Sequence, residues 1–193
     1  MADFNVAYLI TMGNEGPYDN DPADIGGETY WGISRNYHPS WQGWRIIDIQ
    51  KTKPNFPANL KDTIVLDGMV RTFYKDTFWD IFLGDKITNQ DLANELFDTG
   101  VNMGISRAVT FLQQGLNVLN RNQALYPDIV VDGKFGNNTL NAINKYLETD
   151  SVDNLYKIMN ILQGVHYINY MNQSPTQERF CRGWLQRIQF IKK

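Results

Sequence analysis

The sequence predicts a mainly α fold, an α+β arrangement in which a helical bundle core carries one small β-hairpin, and three observations predict it. Apolar residues recur at helical spacing through most of the chain after residue 60. A short aromatic, β-prone run spans Glu28 to Ser34. A stretch of Asp, Asn, Pro and Gly from Asp19 to Gly27 separates that run from an apolar N-terminal segment. With 193 residues, 42% apolar and 20% charged, the chain lies in the globular range and is long enough to bury a real core.

Asp3 is a plausible N-cap, and Phe4, Ala7, Tyr8 and Thr11 follow at helical spacing. Three turns on, Glu15 returns to the azimuth of Phe4 and is expected to face the protein body, with Gly16 and Pro17 ending the helix. The loop from Asp19 and the hairpin of 28–34 come next. Residues 35–60 hold Trp41, Trp44, Pro39, Pro54 and Pro57 without clear periodicity, which predicts an irregular loop with a short strand near Ile46 to Ile49. Leu66, Met69, Val70, Phe73, Thr77 and Ile81 predict a helix over about 61–83; Leu92, Leu96, Thr99 and Met103 predict one over 89–102. Ile105 to Leu119 forms a third. After the breaks at Tyr126-Pro127-Asp128 and Asp132 to Gly136, helices are expected at 137–148, 151–173 and 176–191. No internal repeat is visible.

The formal charge of −3, with no Lys/Arg run longer than two, argues against a nucleic-acid partner. One cysteine, Cys181, excludes an internal disulfide; with only His38 and His166 beside it, a Cys/His zinc site is implausible and no metal is expected. An EF-hand loop counted from Asp19 fails, because Asp24 stands where glycine is required and Tyr30 where the bidentate glutamate belongs. Cys181 and His166 could be the nucleophile and base of a cysteine peptidase. Beside Phe180 and three residues before Trp184, however, Cys181 reads as an inert core cysteine. The N-terminal residues show no basic n-region or apolar h-region, and no segment reaches membrane-spanning length. The expectation is synthesis in the cytoplasm without a Sec-type signal and no stable membrane insertion.

Cleavage of a glycosidic bond needs a carboxylic acid that keeps its proton near neutral pH, which partial burial provides, and commonly a second carboxylate for water or charge. Glu15 has the right placement for the acid, and Asp19, Asp21, Asp24 and Glu28 all follow within 13 residues. On the residues alone, a surface ion pair for Glu15 and ordinary turn formation for the aspartates remain open.

Glu15-Gly16-Pro17-Tyr18, Asn20-Asp21-Pro22-Ala23-Asp24, Gly26-Gly27-Glu28-Thr29 and Gly32-Ile33-Ser34 resemble the signature of glycoside hydrolase family 108, peptidoglycan N-acetylmuramidases of the lysozyme-like superfamily. Pro17 and Ile25 depart from the usual glycine and proline. The resemblance implies a lysozyme-like fold with the hairpin beside the active-site cleft, Glu15 as catalytic acid, and cleavage between N-acetylmuramic acid and N-acetylglucosamine without a cofactor. A similarity in spacing to phage-type lysozymes points to Asp24 as the second carboxylate and to Thr29 or Tyr30 beside the attacking water.

Tyr18, Tyr30 and Trp31 are the aromatic residues nearest the acid and candidates to pack on sugar rings. Asp98 and Asn102 either reach the cleft or only cap and pair locally. Phe73, Tyr74, Phe78, Trp79 and Trp184 read as core, while Trp41 and Trp44 are undecided. Farther on, Leu96 to Gly104, Leu112-Gln113, Val131 to Gly136 with Thr139-Leu140, and Phe180 through Gly183-Trp184 to Arg187 resemble the predicted peptidoglycan-binding region that accompanies this family. The expected division is a muramidase-like region at 1–90 and a helical peptidoglycan-binding-like region at 91–193, packed as one lysozyme-like unit. The implied partners are peptidoglycan glycan strands and a holin-type export partner, placing the protein at the cell wall or periplasm after non-Sec export. A lytic transglycosylase and a non-catalytic wall-binding or secretion-assisting protein are the alternatives.

Overall fold

The computed structural model describes residues 1–13, 17–20 and 27–189. Among them are eight α-helices and one three-stranded antiparallel sheet, joined by short 3₁₀ and π turns, so the mainly α class is the one observed. The chain divides into two compact units, one spanning Tyr8–Thr77 and the other combining Met1–Ala7 with Phe78–Lys193. Helix α1, Phe4–Met12, contributes its first residues to the second unit and its last to the first. At its start the Asp3 carboxylate accepts the Asn5 N–H at 2.8 Å.

In the Tyr8–Thr77 unit, β1 (Tyr18–Asp19), β2 (Thr29–Tyr30) and β3 (Ile33–Ser34) pair in sequence order, with Tyr18 opposite Tyr30 and Tyr30 opposite Ile33. The expected hairpin is thus joined by a strand on the far side of the acidic loop. Two residues are too few to show alternation, which is why the sequence does not reveal β1. The β2–β3 turn places both Trp31 (φ 46°) and Gly32 (φ 75°) in the left-handed region, as a two-residue primed hairpin turn requires. Trp31 tolerates this because its backbone is held twice: its N–H donates to the Pro17 carbonyl at 3.0 Å and its carbonyl accepts the Tyr74 hydroxyl at 2.7 Å.

The strand expected near Ile46 is instead helix α2, Gly43–Lys51. Its β-branched residues favour a strand locally, but burying Trp44 and Ile47, three apart, requires helical periodicity. Full burial of such side chains is worth roughly 1.5–3 kcal/mol each, enough to override propensity. Helix α3, Ile64–Tyr74, buries Leu66, Val70 and Tyr74 at successive i+4 positions. It gives way to a π turn at Lys75–Trp79, so the helix predicted to reach residue 83 ends sooner.

The other unit is a helical bundle of α4 (Gln90–Met103), α5 (Ile105–Leu119), α6 (Asn137–Leu147), α7 (Val152–Gln173) and the short α8 (Cys181–Leu185). Asn89 and Ser151 cap α4 and α7 through side-chain oxygens. Gly100 and Gly115 permit close packing: a Cβ on Gly100 would lie 2.6 Å from the Phe82 ring, and one on Gly115 2.7 Å from Leu155. Phe4, Trp79 and Phe97 meet edge to face with ring centroids 5.8 to 6.1 Å apart.

The single helix expected at 176–191 is a 3₁₀ segment, Pro175–Phe180, followed by α8. Cys181 there is half-buried, not a core residue. Trp184, Phe73 and Phe78 are also only partly buried, whereas Tyr74 and Trp79 are core as expected. Among the described residues no helix is long and apolar enough to cross a membrane.

Candidate active site and helical-unit candidates

Glu15, Asp21 and Asp24 lie outside the described residues. The segments on either side of them are described. Helix α1 ends at Met12, so the helical azimuth expected to orient Glu15 stops three residues short of it. Strands β1 and β2 bracket the acidic loop, and Glu28 stands at the loop's second end, next to β2.

Among the described carboxylates of this segment, Glu28 is the most heavily engaged. Its side chain is only 10% exposed. Lys51 Nζ lies 2.7 Å from Oε1, Arg35 Nη1 donates to Oε2 at 2.9 Å, and the Tyr18 hydroxyl donates to Oε1 at 3.2 Å. Arg35 also forks onto Asp48 of α2 at 2.7 and 2.5 Å, and Lys51 reaches Asp48 at 3.5 Å. The network ties β1 and the end of the acidic loop to α2. Burial by itself would push the Glu28 carboxyl up, but hydrogen bonds from Lys51 and Arg35, with the Lys51 charge, hold it below the usual carboxylate range. Glu28 is therefore ionised at neutral pH and unsuited to donate a proton. Asp19 is exposed at the end of β1, with Oδ1 accepting the Asn20 N–H at 2.8 Å. The sequence did not disclose the roles of Arg35, Asp48 and Lys51; the Asp48/Lys51 spacing of three on one helix was the only local hint.

The aromatic candidates separate by burial. Tyr18 is half-buried and packs edge-on to Phe56 at 4.8 Å. Burial and the adjacent Glu28 charge push its phenol up to about 12, keeping it a donor. Tyr30 is buried and stacks on Trp41 at 6.2 Å, while Thr29, on the opposite face of β2, keeps partial exposure. Trp31 is half-buried at the turn whose backbone is pinned. Of the two undecided indoles, Trp44 is core and Trp41 half-buried.

Asp98 and Asn102 lie on α4 in the helical unit. Asp98 pairs with Arg187 at 2.9 Å, and the exposed Asn102 donates its amide to the Asp98 carbonyl at 2.8 Å. One turn before Asp98, Glu95 is buried, with Thr99 Oγ1 donating to it at 3.3 Å. Burial first, then the Asp98 charge, raises its carboxyl to about 7. His166 Nε2 accepts a hydrogen bond from Arg107, which requires a neutral ring, and burial followed by the Arg107 charge lowers its pKa. No group of three or more metal-ligating side chains occurs among the described residues.

Comparison with known proteins accounts for nearly the whole chain. The model of the glycosyl hydrolase 108 family matches residues 8–104, and that of a predicted peptidoglycan domain matches residues 107–189. The solved structure of Brucella abortus SagA shares the fold, with a TM-score of 0.63 and 22% identity over 96% of this chain and 88% of its own. No curated protein matches by sequence. The first family model spans half of the chain and contains Glu15, the acidic loop and all three strands: the chain belongs to the glycosyl hydrolase 108 family and is a glycoside hydrolase acting on peptidoglycan.

Proposed function

We propose that the protein is an N-acetylmuramidase that cleaves the β-1,4 bond between N-acetylmuramic acid and N-acetylglucosamine. Glu15 protonates the leaving oxygen, and Asp24 assists water or stabilises the oxocarbenium-like transition state. The observation that carries this assignment is what occupies Glu28. Glu28 is clamped as an anion by Lys51 and Arg35, which leaves Glu15, Asp21 and Asp24 as the loop carboxylates for the chemistry, and the resemblance in motif and spacing favours Glu15 and Asp24 among them.

Thr29 is the better candidate of the β2 pair to hold the water, since it keeps partial exposure and Tyr30 is buried. Tyr18 and Trp31 supply half-exposed aromatic surface for sugar rings. Asn102 is the exposed amide on α4 available to a glycan, while Asp98 supports it through the carbonyl and pairs with Arg187.

The test is muropeptide release from purified peptidoglycan by wild type and Glu15→Gln, with new reducing ends assayed and products weighed. Reducing muramic ends from wild type, and a rate lower by roughly 10² to 10⁴ in the variant, are expected. Anhydro ends would identify a lytic transglycosylase instead, and no release by folded wild type would leave a wall-binding protein.

A further inference from the structure

We infer that the junction of α7 and α8 is a glycan-binding platform, in which Tyr170 and Phe180 receive pyranose rings and neighbouring arginines receive the carboxylates of peptidoglycan's lactyl and stem-peptide groups. This rests on the reading of the chain as a peptidoglycan hydrolase and names the binding surface within residues 107–189.

Trp184 is the centre of the platform. Buried Tyr167 of α7 stacks on it with centroids 5.0 Å apart and planes 13° apart. Tyr170 and Phe180 flank the same indole at 5.9 and 5.8 Å, yet each remains 42% exposed. Two large rings beside a packed tryptophan leave apolar surface in water. Sugar C–H faces pack on such rings.

The stretches of chain that carry these rings hold few acids, although Asp98 and Glu95 of α4 lie close to Tyr167, Asp98 in its pair with Arg187. Helix α7 carries no Asp, Glu, Lys or Arg from Ile158 to Gln173, and Glu178 is the only acid from Ser174 to Gln189. Against it stand exposed Arg179, whose guanidinium lies 4.5 Å over the Phe180 ring, and exposed Arg182. Beyond Tyr170, whose ring stacks on His166 at 6.2 Å, Arg107 donates to His166. A basic rim on a chain of formal charge −3 complements an anionic glycan, and guanidinium groups bind carboxylates in fork geometry.

The experiment measures retention of the full chain on purified sacculi in the cold, alongside turnover of short soluble peptidoglycan fragments. Tyr170→Leu with Phe180→Leu keeps side-chain bulk and leaves Trp184 in place. It should weaken retention by about tenfold while soluble-fragment turnover stays unchanged. Arg179→Gln with Arg182→Gln should flatten the salt dependence of retention. Should the double leucine variant unfold, Phe180→Leu alone makes the same test. Unchanged retention overturns the platform, and unchanged salt dependence overturns its anionic ligand. Wild type that binds through these rings but releases no fragments would overturn the hydrolase reading and leave the platform standing. Fragment release with ring-independent binding would do the reverse.

Discussion

Arg187 Nη1 lies 2.9 Å from Asp98 Oδ1, joining the segment after α8 to the middle of α4 across 89 residues of sequence. Both side chains are about three-quarters buried, so water does little to screen the pair. Arg187→Ala is expected to destabilise the protein by about 1–3 kcal/mol, because it leaves a partly buried carboxylate without its charged donor. A urea-unfolding double-mutant cycle with Asp98→Asn should return a coupling of about 1–2 kcal/mol. Additive effects would show that the contact carries no energy.

Glu28→Gln should keep a partner for the Tyr18 hydroxyl but lose the charge that Lys51 and Arg35 share. The expected cost is about 1–3 kcal/mol. The sign with pH follows from a folded carboxyl held below its unfolded value. Its stabilisation is complete above the unfolded value and disappears as pH falls through the folded one. Urea midpoints at a series of pH values should therefore show a shallower acid limb in the variant; parallel limbs would remove Glu28 from the acid response.

Glu95 has the opposite sign. Its carboxyl is raised from 4.5 to about 7, so the fold favours the protonated form; this stabilisation is complete below the unfolded value and is lost as pH rises through about 7. Glu95→Gln replaces the protonated acid by a neutral amide and should reduce the fall in stability between those values, which corresponds to about 3 kcal/mol by linkage. Thermal melts of both proteins across that range decide it. An unchanged pH slope would place the shift elsewhere.

Gly133 (φ 68°) belongs to a loop read by a buried side chain. Gln113 Oε1 accepts the N–H groups of Asp132 and Gly133 at 3.1 and 2.9 Å, and its amide donates to Asp132 Oδ1 at 2.9 Å. A Cβ on Gly133 would lie 2.8 Å from the Ser106 carbonyl and crowd its hydroxyl. Gly133→Ala is expected to cost about 2 kcal/mol or more in urea unfolding. Gly136→Ala meets nothing within 4 Å and loses only the N-cap preference for glycine at the start of α6, so it should cost less, about 0.5–1 kcal/mol. Equal effects would refute the steric account.

The legible parts of the fold were those that repeat. Leu92, Leu96 and Thr99 mark α4, and Ala108, Leu112 and Leu116 mark α5, because a helix against a core must bury residues every three or four positions. The family signature from Glu15 to Ser34 was legible for another reason: chemistry demands particular residue types at particular spacings. What the strings concealed was anything shorter than its own period or built between distant residues. Strand β1 is two residues long, α2 is β-branched, and α8 is cut short after Leu185.

The sequence by itself thus determined a mainly α chain, its long helices and its membership of a peptidoglycan-hydrolase family, because periodicity and motif are local properties. Only the tertiary structure decided that Glu28 is an anion clamped by Lys51 and Arg35, that Tyr30 is buried while Thr29 remains half-exposed, and that Asp98 belongs to Arg187. Charge state and accessibility depend on which side chains meet across the fold, and a carboxylate's identity says nothing about its neighbours.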